Sequence, residues 1–158
     1  MTDDWKDGKH SVEVVAFQIE NIVCGIPIDD VQEIKKVSEI TVVHHAPEYV
    51  RGVINLRGQI VTVIDVRKKL HFPSLQDQKT MQVIVVHSRG EVIGLLVDDV
   101  SDVLLIEGEV IEPPPANIGK VEGYYFNAVG KMDDMLVAVL DVEKVLGETT
   151  EPFADAVL

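Results

Sequence analysis

Apolar and polar positions alternate along this chain in short runs separated by turn-forming residues, which is the pattern of half-buried strands rather than helices. Val12–Glu20 and Ile22–Ile28 read as two strands joined at Glu20-Asn21. Asp29–Ile34 breaks the alternation: Asp30 with Glu33 three residues on has capping-box spacing and predicts one helical turn. Val37–Val43 returns to strand, and Pro47-Glu48-Tyr49 makes a corner. Val53–Leu56 and Gln59–Ile64 then flank the dipeptide Arg57-Gly58, which predicts a tight hairpin with Gly58 supplying a positive φ. Asp65–Leu70 predicts a short helix capped by Asp65, with basic residues toward its end. A polar linker follows over 73–80. Strand pattern resumes over Met81–His87, Glu91–Val97, Val103–Glu107, Val121–Lys131 and Met135–Leu140, with Pro113-Pro114-Pro115 interposed. Asp141–Leu146 predicts a last helical turn. Residues 1–11 and 148–158 read as frayed ends.

The second half of the chain repeats the first. Gly25-Ile26-Pro27-Ile28-Asp29-Asp30-Val31 aligns with Gly94-Leu95-Leu96-Val97-Asp98-Asp99-Val100, and Ile60–Leu70 aligns with Leu136–Leu146. Glycine, paired aspartates and valine keep step in the first block, and strand followed by Asp-Val and Leu in the second. The spacing between copies grows across the proline-rich connection, as an insertion there requires. An internal duplication follows, with about five short strands in each copy. Five short, turn-linked antiparallel strands close most readily into a small barrel. The expected architecture is all-β: two five-stranded barrels, residues 12–72 and 81–147, packed together, with short helical turns. These bounds are approximate, and end strands can exchange between the barrels.

Composition narrows the function classes. Of 158 residues, 46% are hydrophobic but only 5% aromatic, so the core is built mainly of Val, Ile and Leu. The formal net charge of −13 repels phosphate backbones and anionic lipid, which argues against nucleic-acid or direct membrane binding. Acidic partners are also disfavoured, unless a local basic site such as Arg51, Arg57 and Arg67–Lys69 meets them. Cys24 is the single cysteine, so there is no internal disulfide framework, and a cytoplasmic location is expected. The acidic N-terminus lacks the apolar stretch of a signal peptide.

Catalytic chemistry is hard to assemble. The sequences after Gly8-Lys9, Gly119-Lys120 and Gly130-Lys131 do not open a phosphate loop. His44 and His45 are adjacent, so on a strand they point to opposite faces, and His10, His71 and His87 are scattered. Asp98, Asp99 and Asp102 could form an acidic pocket, but Asp29 and Asp30 hold the same places in the first copy, and solvated turn roles explain both sets. No metal, cofactor or enzymatic activity is expected.

Gly25 with its apolar flanks, Asp30–Ile34, Arg51-Gly52-Val53-Ile54-Asn55-Leu56-Arg57-Gly58, Val97–Val103 and Met135–Asp141 together resemble the chemotaxis coupling protein family, CheW, over about residues 12–147. The resemblance implies two SH3-like barrels. It also implies a scaffold joining the cytoplasmic tips of methyl-accepting transmembrane chemoreceptors to the regulatory domain of the histidine kinase CheA, held at receptor arrays through those partners. It places Val31, Glu33, Gly52, Asn55, Arg57, Val100 and Val103 at positions of receptor or kinase contact. Val31 and Val100 equally fit core positions, and Gly52 a purely backbone role. The chain departs from the family at Ala116-Asn117-Ile118, where a charged or aromatic pair tends to follow Pro-x-Pro. Arg57 is expected to reach Glu33 through a forked, bidentate bond. Two further readings stay open: a double barrel binding a small ligand in its seam, and a coupling protein of a pathway other than swimming.

Overall fold

The computed structural model describes residues 10–73 and 81–147. The expected linker over 73–80 and both expected frayed ends lie, apart from their margins, outside the described residues. Thirteen strands form among these residues. The first copy supplies β1 (Val12–Ile19), β2 (Ile22–Pro27), β3 (Val31–Val37), β4 (Val50–Leu56) and β5 (Gln59–Asp65), followed by helix α1 (Val66–Lys69). The second supplies β6 (Met81–Ser88), β7 (Glu91–Val97), β8 (Val100–Ile106), the two-residue strands β9 (Ile111–Glu112), β10 (Asn117–Ile118) and β11 (Val121–Glu122), then β12 (Phe126–Met132), β13 (Met135–Leu140) and α2 (Val142–Leu146).

The strands sort into two compact units, and the sorting is not by copy. Barrel I has the order β8-β1-β2-β13-β12-β9, and barrel II the order β3-β6-β7-β5-β4. Among the described residues, barrel I takes those up to Asp29 together with Asp99–Lys144; barrel II takes those from Asp30 to Asp98 and from Val145 to Gly147. The hairpins β1–β2 and β6–β7 are thus traded between the copies, an exchange of end strands across the approximate bounds 12–72 and 81–147. The trade runs through parallel pairing of β13 with β2, and of β5 with β7.

Geometry repeats as faithfully as sequence. The hairpin residues Glu20 and Arg89 have φ of 52° and 53°, and Arg57 and Asp133 have 54° and 46°. The Asp65 side chain accepts from the Lys68 N–H at 3.3 Å, and the Asp141 side chain from the Lys144 N–H at 3.1 Å, so both helices are capped in the same way. A Cβ on Gly25 would meet Val14 Cγ2 at 2.6 Å, and one on Gly94 would meet Val83 Cγ1 at 2.7 Å. The two hairpins need the same bare position for strands to approach.

Each barrel is closed by a short bridge. In barrel II the chain leaving β3 pairs at Thr41 with Val53: the Thr41 N–H donates to the Val53 carbonyl at 2.9 Å, and the Val53 N–H to the Thr41 carbonyl at 2.8 Å. In barrel I, β9 does the same against Val129 and Gly130 of β12. The interiors are apolar. Val14, Ile106, Val137 and Val139 centre one core, and Val61, Val63, Val83 and Val85 the other. Alternation along each strand places these residues inward.

Three local expectations are corrected. The helical turn at Asp29–Ile34 is instead a single 3-10 turn at Ile28–Asp30 followed by strand β3. Pairing of Val31–Val37 along β6 outweighs the capping-box spacing, which is worth only about 1 kcal/mol. Strand does not continue through Val43; only Thr41 bridges. Val121–Lys131 is broken by a 3-10 turn at Gly123–Tyr125, where the Gly123 N–H donates to the Ala116 carbonyl at 2.7 Å.

Candidate functional site

The predicted contact residues fall on the edge strands and one hairpin tip. In barrel II, Leu56 pairs with Gln59, so Arg57-Gly58 is a two-residue turn. Both residues have positive φ, 54° and 84°, which is the conformation that twists with the flanking strands. Asn55 sets this turn: its Oδ1 accepts from the Gly58 N–H at 2.9 Å. The Asn-Leu-Arg-Gly sequence is therefore a turn device that aims Arg57.

Arg57 does meet Glu33. Its Nη1 lies 3.4 Å from Glu33 Oε2, with side chains 79% and 20% exposed respectively. The forked bond is not formed. Oε2 is itself buried and has no hydrogen-bond partner among the described residues, so the guanidinium supplies charge without aligned donation. Glu33 pairs with Val85, an interior residue, and so faces the end of the barrel cavity rather than capping a helix.

Gly52 is buried in β4, at φ +150°, against the closing bridge. A Cβ there would collide with the Thr41 carbonyl oxygen, lying 2.7 Å from its carbon and 2.8 Å from Ile40 Cγ2. Gly52 closes the barrel.

The valines behave alike in the two barrels. Val31 pairs with Val86 and Val100 with Phe17, both half-buried at the start of an edge strand. Val103 is opposite Val15 and is 47% exposed. Its counterpart on β3, Ile34, is 42% exposed and was not singled out from the sequence. It sits where a helical turn was expected, and the duplication itself, by aligning it with Val103, was the available signal.

Other cations are engaged elsewhere. Arg51 Nη1 lies 3.6 Å from Asp65, and Arg67 Nη1 lies 2.7 Å from Asp98 Oδ2 while its Nε donates to the Pro73 carbonyl at 2.8 Å. Asp98 is thus no solvated turn residue, contrary to expectation. Its side chain and that of Arg67 are only 14% and 8% exposed. Lys69 sits over the Tyr49 ring at 4.2 Å, and burial lowers its pKa. Lys144 sits 5.0 Å over Tyr124, which stacks edge-on with Tyr125. In the departing segment, Ala116 and Asn117 are exposed while Ile118 is buried. Among the described residues, no group of three or more His, Cys, Asp or Glu is placed to hold a metal ion.

The family model described as CheW-like domain matches residues 13–150. The chain belongs to the CheW family. A chemotaxis protein CheW of Klebsiella aerogenes is 33% identical over 145 residues, covering 92% of this chain and 87% of the relative. One from Thermotoga maritima is 31% identical over 144 residues, covering 91% and 93%. Among solved structures, the scaffolding protein TtCheW from Thermoanaerobacter tengcongensis matches with a TM-score of 0.78 at 31% identity, covering 86% of this chain and 88% of that one. The all-β fold of two SH3-like barrels is that of CheW.

Proposed function

We propose that this CheW-family protein is a non-catalytic scaffold that couples transmembrane chemoreceptors to the histidine kinase CheA in chemotaxis signalling. The observation that carries it is the CheW-like match over residues 13–150, together with relatives of closely similar extent. Supporting it, exposed apolar side chains stand on the edge strands β3 and β8, which suits protein contact better than catalysis. No helix among the described residues is long and apolar enough to cross a membrane. The protein acts in the cytoplasm, recruited to receptor arrays by its partners. Val31, Glu33, Arg57, Val100 and Val103 make the contacts with receptor tip and kinase regulatory domain; Asn55 aims Arg57, and Gly52 contributes through barrel closure.

The test is reconstitution. Purified protein is added to receptor-containing membranes with CheA, and kinase activity and co-sedimentation are measured with wild type, Arg57→Ala, Glu33→Ala and the double variant. Wild type should restore receptor control of the kinase. The two single losses should be non-additive, because each removes the same charge contact. A wild-type protein that binds neither partner and leaves kinase activity unchanged sinks the proposal.

A further inference from the structure

The duplication sets one lysine apart. On α2, Val145 is fully buried. The same place on α1 holds Lys69, which is half-buried. An ammonium therefore stands where the fold has room for an apolar side chain, and burial lowers the Lys69 pKa. The cations around it have their counter-charges. Arg51 lies 3.6 Å from Asp65, Arg67 2.7 Å from Asp98, and Lys68 Nζ 3.8 Å from Glu48. Among the described residues, no carboxylate lies within ion-pair distance of Lys69. Its ammonium has the Tyr49 ring, 4.2 Å away. A ring face attracts a cation but offers none of its three N–H donors an oxygen acceptor. This corner of barrel II thus sets four cations against three carboxylates, on a chain whose net charge is −13.

The chain itself passes this ammonium again. α2 ends at Leu146, and Gly147 follows with φ 62°, the left-handed conformation that turns a chain off a helix axis. A Cβ on Gly147 would lie 3.9 Å from Lys69 Nζ. The next residue is Glu148, and consecutive Cα atoms are only about 3.8 Å apart. Residues 148–158, which lie outside the described residues, carry Glu148, Glu151 and Asp155 and no Lys or Arg.

We propose that the corner formed by Lys69 and Tyr49 is a docking site for this chain's own acidic segment Glu148-Thr149-Thr150-Glu151, whose carboxylates supply the counter-charge that Lys69 lacks. The segment reaches the corner already tethered at Gly147, so its effective concentration there is of millimolar order. The negative field of the rest of the protein directs its carboxylates to this corner. Docked, the segment covers Lys69, and an acidic partner reaches that ammonium only by displacing it. The contact goes beyond the scaffold function and stands or falls without it.

The test reads the segment in the full chain, with neither receptor nor kinase present. Amide relaxation NMR gives backbone order parameters for residues 148–151 in wild type, Lys69→Met, Lys69→Glu, and Lys69→Glu combined with Glu148→Lys and Glu151→Lys. Thermal unfolding checks the fold, with Lys69→Gln as a second variant if Lys69→Met is unstable. In wild type the order parameters should exceed about 0.6, and they should fall below it in Lys69→Met and in about 1 M salt. Lys69→Glu alone should lose the order, and the combined charge reversal should restore it. A glutamyl endopeptidase should cut after Glu148 and Glu151 about fivefold faster in Lys69→Met than in wild type. Equal order parameters and equal cleavage rates in wild type and Lys69→Met overturn the proposal and leave the scaffold function untouched. Order at 148–151 that appears only as protein concentration rises places a second copy on the site, and refutes the contact within one chain.

Discussion

Gly52→Ala separates folding from contact at a residue that sequence resemblance marks as functional. The added methyl group would sit against the Thr41 carbonyl, in the two-way hydrogen-bonded bridge that closes barrel II. Holding a side chain at φ +150° costs about 1–3 kcal/mol. Displacing Thr41 weakens two backbone hydrogen bonds, each worth about 0.5–1.5 kcal/mol. The stiffer unfolded chain of alanine makes unfolding less favourable by only about 0.4–1 kcal/mol. The expected loss is therefore about 2–5 kcal/mol. Urea unfolding followed by circular dichroism reads it as a lower midpoint at unchanged slope. Gly58→Ala is the comparison: φ is +84° there, but nothing lies within 4 Å of the added carbon, so only the backbone cost, about 1 kcal/mol, applies. A Gly52→Ala protein no less stable than Gly58→Ala would refute the argument from closure. Reduced partner binding by Gly52→Ala at full stability would instead make Gly52 a direct contact.

Asp98→Ala strips the carboxylate from a buried guanidinium and should cost about 3–5 kcal/mol in chemical denaturation, whereas Arg67→Met with Asp98→Leu together should recover most of it. Asn55→Ala removes the side-chain acceptor of the Gly58 N–H, and should lower stability by about 0.5–1.5 kcal/mol while broadening the amide resonances of the Arg57-Gly58 turn. The Tyr125 phenol is held above its ordinary pKa of 10.0 by burial, with the charges of Glu122 and Tyr124 adding to it. The unfolded chain therefore ionises first, and stability should fall as pH rises above 10; Tyr125→Phe should flatten that fall in pH-dependent melting.

Strand positions were largely written in the alternation of Val, Ile and Leu. β7 and β13 run over the predicted spans, and Asp65 caps its helix as the local sequence requires. β3 was misread because Asp30 and Glu33 have a local preference that pairing with β6 overrides, and a partner strand fifty residues away leaves no local trace. Exchange of end strands between the copies was allowed for, but which hairpins are traded was not legible: repeats show which strands are alike, not which of two like strands each one pairs with. Asp98 shows a subtler limit. Its counterpart Asp29 suggested an ordinary turn residue, but the helix of the first copy has Arg67 where that of the second has Glu143, so only one of the two aspartates has that cation to meet. Arg57 and Glu33 were brought together as expected. The bond geometry was not, since it depends on where an exposed hairpin tip stops relative to a half-buried carboxylate.

The traded hairpins make the halves of this protein mutually dependent. A chain ending before β6 would hold β1, β2, β3, β4 and β5, yet could complete neither barrel, because β3 and β5 need β6 and β7 while β1 and β2 need β8 and β13. Two such fragments can close both barrels only by reassociating, which is what an ancestral half-length chain would have had to do with a second copy of itself. On this view the polypeptide between the copies turned an obligate dimer into one molecule. Once joined, the halves were free to diverge, so that Arg57-Gly58 could stand at one hairpin tip and Asp133-Asp134 at the other.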